Sequence, residues 1–227
     1  MKKAFVSWSG GKDCCLACYR AVQAGYQVRC LVNMVTEDGQ LSWSHHLPAR
    51  WVRMQAEGLG IPVIQQPTSN ENYKINFKKV LSSLREEGVT IGVFGDIDFE
   101  DHRIWVERVC RESGLQAHLP LWGEKQEKLL HEFVDSGFVA TVVLTRADIL
   151  GEGWVGRKVD ATFVQDLLEL CKTVSLTPCG EAGEYHTLVV DGPLFKQRLE
   201  IVQAKKLLEQ NYWSLEISRL ELRPKSP

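Results

Sequence analysis

Short apolar runs alternate with segments of helical period along the first half of the chain. The runs cover residues 4–8, 28–35, 61–64 and 89–94. Between them apolar residues recur at the spacing of an amphipathic helix, as at Phe77, Val80, Leu81 and Leu84. Buried strands that alternate with helices are typical of a parallel sheet covered on both faces. The pattern predicts an α/β fold with βαβαβαβα order, a doubly wound, Rossmann-like parallel sheet.

Two local patterns predict how the helices of this part begin and pack. Thr68 and Glu71 have the spacing of a capping box for the helix that contains Phe77. In the first helix, one stripe of residues is predicted to face the core. Its members are Cys15, Cys18, Tyr19 and Val22.

The rhythm breaks near residue 122. A helix over residues 125–136, a strand over 138–144, a glycine-rich loop and a helix around Phe163 and Leu167 are predicted to follow. The last apolar alternation slips by one position at Ser218 and Arg219, which predicts a strand with a β-bulge. We therefore predict two domains, residues 1–122 and a smaller α+β substrate domain over residues 123–227.

Composition narrows the classes of function. The 227 residues include 27 Lys and Arg against 29 Asp and Glu, and no basic stripe indicates a duplex nucleic acid partner. No apolar stretch approaches the roughly 18–20 residues that span a bilayer, and no secretory signal opens the chain, so we expect a cytoplasmic protein with no membrane partner. Seven cysteines, four of them in the predicted first helix and second strand, indicate reduced thiols.

The turn after the first strand is the strongest functional signal. In a doubly wound sheet it lies at the carboxyl edge, where helix amides attract anions. Two glycines let consecutive amides point at phosphate oxygens, and a lysine adds charge. A turn used only for packing is the alternative, and the spacing fits neither the Walker A nor the dinucleotide motif. The residues of this phosphate loop are Ser9, Gly10, Gly11, Lys12, Asp13 and Cys14.

Three further stretches are interpreted as loops at the same edge. Gly95, Asp96 and Asp98 follow the fourth strand, and the two acids are candidate Mg²⁺ ligands, although Asp98 could instead cap the next helix. In the stretch 150–160, Arg157 suits a phosphate or carboxylate, and Asp160 is predicted to cap a helix.

The third stretch, residues 179–188, concentrates polar groups between glycines. Such groups each need a partner if buried, which favours a functional role. Hydrogen bonding of the acids to loop amides is the alternative. The candidates are Glu181, Glu184 and His186.

The loop Ser-Gly-Gly-Lys-Asp-Cys resembles the PP-loop of the ATP pyrophosphatases, in which Ser usually stands at the position of Cys14. Together with the Gly-Glu-Ala-Gly-Glu-Tyr block at 180–185, the whole chain resembles the diphthine–ammonia ligase family of these enzymes. The resemblance implies an adenine nucleotide alpha hydrolase fold and an ATP-dependent amide synthesis that releases AMP and pyrophosphate. In that family the acceptor is the carboxylate of a modified histidine on elongation factor 2.

The resemblance also implies roles for residues. Ser9 to Cys14, Gly95, Asp96 and Arg157 would bind ATP with Mg²⁺, and Lys12 would act on the leaving pyrophosphate. Because Lys12 is expected in an exposed loop, its replacement should change stability little. Glu181 and Glu184 would hold ammonium, with His186 as an alternative base. His186 stands where the ligases have Glu, a variant that resembles a bacterial branch, and we expect an acceptor other than diphthine.

Two other functions stay open from the sequence. One is an ATP-binding regulatory module without chemistry. The other is a PP-loop tRNA sulfur transferase, which the pair Cys15 and Cys18 suggests, although buried thiols are favoured for them. Free ammonia or a partner would supply the nitrogen, and a homo-oligomer is compatible with the sequence.

Overall fold

The computed structural model describes residues 1–45 and 47–225. The chain divides into two compact units, Met1–Gly123 and Glu124–Pro227. Within the described residues, no helix is both long and apolar enough to cross a membrane.

The first unit is a five-stranded parallel sheet with helices between the strands. Its strand order β3-β2-β1-β4-β5 confirms the predicted doubly wound α/β fold. The strands are β1 (Lys3–Ser7), β2 (Gln27–Val35), β3 (Val63–Pro67), β4 (Ile91–Val93) and β5 (Gln116–His118). The helices are α1 (Lys12–Gln23), α2 (Ala49–Leu59), α3 (Tyr73–Glu86) and α4 (Glu100–Glu112).

The apolar faces predicted for the helices form the core of this unit. Phe77, Leu81 and Leu84 of α3 pack with Phe5 of β1, whose ring meets Phe94 edge to face at 5.8 Å between centroids. Strand β5 was not predicted, because among its three residues only Ala117 is apolar. It extends the sheet by pairing with β4.

Two predicted details of the helices are wrong. Val22 is 39% exposed, because α1 turns Leu16, Ala17 and Ala21 toward the core together with its cysteines. The capping box does not form either. A turn separates Thr68 from α3, the N-cap is Asn72 without a side-chain bond, and the Thr68 hydroxyl donates to the carbonyl of Ser69.

The second unit is a four-stranded sheet in the order β7-β6-β9-β8, and all of its strand pairs are antiparallel. It contains the helices α5 (Gln126–Asp135) and α6 (Ala161–Leu170). The strands are β6 (Val139–Arg146), β7 (Tyr185–Asp191), β8 (Gln197–Glu209) and β9 (Tyr212–Pro224).

This sheet corrects the interpretation of the segments 150–160 and 179–188 as carboxyl-edge loops. All strand pairs in this unit are antiparallel, so these segments do not follow strands of a parallel sheet, and Tyr185, His186 and Thr187 lie within β7. The predicted bulge in β9 is confirmed. Arg219 pairs with Gln203 and Ile217 with Ala204, so Ser218 is the extra residue between them.

Candidate functional site

The predicted phosphate loop joins the end of β1 to the start of α1. Gly11 is the N-cap of α1, and as a glycine it provides no side-chain cap. The first amides of a helix and the positive end of its dipole favour an anion at this position. The loop geometry therefore fits a phosphate group.

Two glycines are required by the close packing of this loop. Gly10 has a φ of +90°, and a Cβ there would lie 2.8 Å from Oε1 of Gln55. A Cβ on Gly95 would lie 2.9 Å from the backbone of Asp13 and Cys14. The segment after β4 thus lies directly against the phosphate loop and brings Asp96 beside it.

Lys12 is buried, which corrects the expectation of an exposed side chain. It is 4% exposed, and its Nζ lies 2.9 Å from a carboxylate oxygen of Asp13. Burial raises the pKa of Asp13, and the nearby Asp96 adds to that rise, while Lys12 opposes it. The loop therefore holds a buried lysine in direct contact with a carboxylate whose charged form burial disfavours.

Cys14 forms hydrogen bonds inside the loop. Its thiol donates to the carbonyl of Gly11 over 3.1 Å and accepts from the hydroxyl of Ser9 over 3.5 Å. Burial acts to raise the pKa of Cys14, but hydrogen bonds from Cys15, Ser9 and the loop backbone lower it below the usual 9.0. The thiol of Cys14 therefore lies at the loop position where a Ser usually stands, and its hydrogen bonds there make it more acidic.

The other two cysteines of α1 are buried in the core, as predicted. Burial raises the pKa of Cys15 well above 9.0 and that of Cys18 to about 12. A thiol that stays protonated is a poor nucleophile and a poor metal ligand. Cys15 and Cys18 therefore behave as small apolar side chains.

The two acids after β4 differ in position. Asp96 lies 3.3 Å from Nδ1 of His102 and also acts on Tyr73, whose pKa burial and this carboxylate raise to about 12. Asp98 is exposed, and the N-cap of α4 is Phe99 and not Asp98. In residues 1–45 and 47–225, no group of three His, Cys, Asp or Glu is arranged to hold a metal. A nucleotide Mg²⁺ needs only one or two carboxylates besides phosphate oxygens and water, and Asp96 fits that part.

A buried amide behind the loop was missed by the sequence analysis. Gln55 of α2 is fully buried and bonds both Trp8 and Gly10. Asn33 at the end of β2 is also buried and donates to the carbonyl of Trp8. The available signal was a glutamine at an apolar position of α2, between Trp51, Val52 and Leu59.

Arg157 and Asp160 both have partners within the second unit. The Arg157 guanidinium is 2.6 Å from Asp166 and 4.6 Å from the Trp154 ring centroid. Asp160 caps α6 as predicted, accepting from the amide of Phe163 over 2.9 Å. These contacts hold the Arg157 side chain within its own unit, and its part in binding ATP stays a prediction.

In the block 179–188, Glu184 is hydrogen-bonded to loop amides, which is the alternative to a functional role. The carboxylate of Glu184 is 2% exposed and accepts from the amide and hydroxyl of Thr177 and from the amide of Ala182. Glu181 and His186 are half-buried, and His186 lies on β7 opposite Leu144. Glu184 therefore fixes the loop, and Glu181 and His186 stay the candidates for chemistry in this block.

Family models match nearly the whole chain. The diphthamide synthase N-terminal domain matches residues 1–117, and the diphthamide synthase C-terminal domain matches residues 125–222. The chain belongs to the diphthamide synthase family. This confirms the resemblance on which the sequence analysis rested.

Several relatives of this family member are named diphthine–ammonia ligase. That of Schizosaccharomyces pombe is 33% identical over 89% of this chain but only 36% of its own length. The proteins of Rattus norvegicus and Homo sapiens are each 28% identical, with 85% and 84% of this chain and 80% and 79% of their own lengths covered. The chain thus spans about a third of the yeast relative and about four fifths of the two mammalian ones.

A solved structure described as a predicted subunit of tRNA methyltransferase from Methanocaldococcus jannaschii is also similar. It is 17% identical, with a TM-score of 0.47 over 85% of this chain and 98% of that one. The fold assignment of this family member rests on its own strand order.

Proposed function

We propose that this chain is an ATP-dependent ligase that adenylates a carboxylate, releases pyrophosphate and transfers ammonia to form an amide. Its membership of the diphthamide synthase family and its relatives named diphthine–ammonia ligase support this proposal, and the family match extends over both units. The observation that carries the proposal is the glycine loop at the N-terminus of α1, with the buried Lys12 beside it.

A carboxylate must be activated before it can form an amide, because its oxygen is a poor leaving group. Adenylation places the carboxyl carbon next to a good leaving group, AMP, and the first step expels pyrophosphate. Lys12 and the amides of Gly11 and the first turn of α1 would neutralise the charge on that pyrophosphate. Mg²⁺, held in part by Asp96, would supply further charge neutralisation on the nucleotide.

The second step needs a group that holds ammonium and takes its proton. Glu181 and His186 are proposed for this, because a carboxylate and an imidazole can each accept a proton and both residues are only half-buried. Glu184 is proposed to hold the loop that carries Glu181, since protein donors already occupy both of its oxygens.

The two rival functions are less well supported. A sulfur transferase would need a reactive thiol pair, whereas Cys15 and Cys18 are buried and have raised pKa values. A regulatory module would bind ATP without turnover, and product analysis separates it from a ligase.

We further propose that the acceptor is a carboxylate other than that of diphthine. Diphthine carries a quaternary ammonium, and the resemblance to the ligases implies that His186, an imidazole, stands where they have an acid. His186→Glu should then improve amidation of diphthine-bearing elongation factor 2. Efficient amidation of that factor by the native chain would contradict this proposal and leave the ligase chemistry intact.

The test of the reaction class uses ATP labelled at the α-phosphate, Mg²⁺, ammonium and a panel of carboxylates. We expect labelled AMP with pyrophosphate, and carboxylate-dependent exchange of labelled pyrophosphate into ATP. ADP with inorganic phosphate would overturn the proposal. ATP binding with no turnover on any carboxylate would favour the regulatory module.

A further inference from the structure

Gln55 connects α2 to the phosphate loop through both ends of its side-chain amide. Nε2 donates to the carbonyl of Gly10 over 2.9 Å, and Oε1 accepts from the indole Nε1 of Trp8 over 3.0 Å. The side chain is 0% exposed. A buried amide is costly unless it is bonded, so a glutamine at this position of an apolar helix face points to a specific task.

The bond to Gly10 fixes the direction of the next amide. The peptide bonds of the described residues include no cis bond, and in a trans peptide the carbonyl and the following N–H point in opposite directions. With the Gly10 carbonyl directed at Gln55, the N–H of Gly11 is directed away from α2. It reaches the hydroxyl of Ser9 over a long 3.4 Å, a contact that a phosphate oxygen can replace.

A peptide between two glycines needs such an anchor. Neither residue has a Cβ that restricts its backbone, and Gly10 already adopts a φ of +90°. If this peptide rotated, the Gly10 carbonyl oxygen would replace the Gly11 N–H on the anion side, and attraction would become repulsion.

The strand that leads into the loop is held from a second side. Asn33 donates to the carbonyl of Trp8 over 2.8 Å, and its Oδ1 accepts from Gln65 over 3.1 Å. Trp8 is thus held at its carbonyl by Asn33 and at its indole by Gln55, and Gln55 also holds the carbonyl of the peptide between Gly10 and Gly11.

We propose that Gln55 is a positioning residue for pyrophosphate, which acts by holding the Gly10 carbonyl so that the Gly11 N–H faces the anion. This inference rests on the proposed function, because it assumes that the loop binds the pyrophosphate part of ATP. It adds a determinant outside the loop, on α2, to the residues that the loop itself supplies.

The test compares three variants of the full chain for binding of inorganic pyrophosphate with Mg²⁺ by calorimetry. Gln55→Met keeps the volume and removes both bonds, and we expect its affinity to fall at least tenfold. Gln55→Glu can still accept from Trp8 but can donate to Gly10 only when protonated, so we expect its affinity to fall as the pH rises and the carboxyl ionises. Thr68→Val is the matched control: Thr68 is also buried and bonded, in the same unit, but contacts Ser69 and Asn76 instead of the loop.

A second readout follows the Gly11 amide directly. In the native chain its ¹⁵N–¹H resonance should shift strongly when pyrophosphate is added, and in Gln55→Met this shift should be lost. A role in stability alone would lower the thermal midpoint of Gln55→Met and Thr68→Val alike without a selective loss of affinity.

The outcomes separate the two proposals. If the native chain binds pyrophosphate and Gln55→Met binds it within twofold, the positioning role is overturned and the ligase proposal stands. If the native chain binds no pyrophosphate and produces no AMP, both are overturned. If Gln55→Met does not fold, the native chain still decides, because a Gly11 resonance that pyrophosphate leaves unmoved overturns the inference.

Discussion

At the scale of single residues, the burial of Lys12 alters what its loss should do. Lys12→Ala should abolish pyrophosphate release, and it should also lower the free energy of unfolding by about 1–3 kcal/mol, because it removes a buried side chain together with its ion pair to the carboxylate of Asp13. Thermal unfolding and pyrophosphate release measure the two effects. Lys196→Ala, at an exposed lysine of the second unit, is the control. An unchanged midpoint for Lys12→Ala would contradict the buried pair.

The acidity of Cys14 predicts selective reactivity. Its folded-state pKa is lowered below 9.0, so the thiolate forms as the pH rises through a value below 9.0, whereas Cys15 and Cys18 stay protonated there. Among the three cysteines of α1, alkylation by iodoacetamide, followed by peptide mass spectrometry, should therefore modify Cys14 first, and pyrophosphate should slow that reaction. Cys14→Ser should remove this first alkylation. First modification at Cys15 would show that the ranking is wrong.

The buried pair of thiols should matter for stability alone. Cys15→Ala with Cys18→Ala should lower the free energy of unfolding by about 1–3 kcal/mol in total, since each change leaves a void in a packed helix face. ATP turnover at a temperature well below the midpoint should stay near the native rate. Lost turnover at native stability would assign these thiols to the chemistry.

At the scale of elements, Asp160 offers a clean test of a predicted cap. Asp160→Ala should cost about 1 kcal/mol, because the amide of Phe163 loses its acceptor at the start of α6. Chemical denaturation measures the change, with Thr162→Ala in the same turn as control, since Thr162 is exposed. Equal costs for the two variants would contradict a specific capping role.

Glu184 gives the corresponding test for a loop. Glu184→Gln should lower the free energy of unfolding by about 1–3 kcal/mol, because the new NH₂ group would face the amide of Thr177 or Ala182. Glu169→Gln, at an exposed acid of α6, is the control for the charge change. If Glu184→Gln were as stable as the native chain but inactive, Glu184 would have a catalytic role instead.

The elements also show what the sequence could and could not predict. Continuous apolar runs mark β1, β2 and β4 because these strands are buried on both faces, and the phosphate loop follows from its place after β1. Strand β8 has an exposed middle and carries no such run. Gln55 could not be assigned a role, because its bonds to Trp8 and Gly10 join residues about 45 positions apart in the chain.

At the scale of the whole molecule, the division into two units has a thermodynamic consequence for pyrophosphate binding. The anion is small, and the loop proposed to bind it lies wholly within Met1–Gly123. A ligand that binds only the native state stabilises it by about 2.7 kcal/mol at a hundred times its dissociation constant. If the units unfold independently, pyrophosphate protects only the amides of the first unit against hydrogen exchange.

Hydrogen exchange with and without pyrophosphate and Mg²⁺ measures this directly. We expect the slowest amides of β1, β2 and β4 to exchange roughly a hundredfold more slowly with the ligand, because 1.4 kcal/mol corresponds to a factor of ten. Amides of β6 and β7 should keep their rates. The same slowing in both units would show that they unfold as one cooperative body. Slowing confined to Glu124–Pro227 would contradict the placement of the anion in the loop before α1, and with it the use of that loop in the reaction.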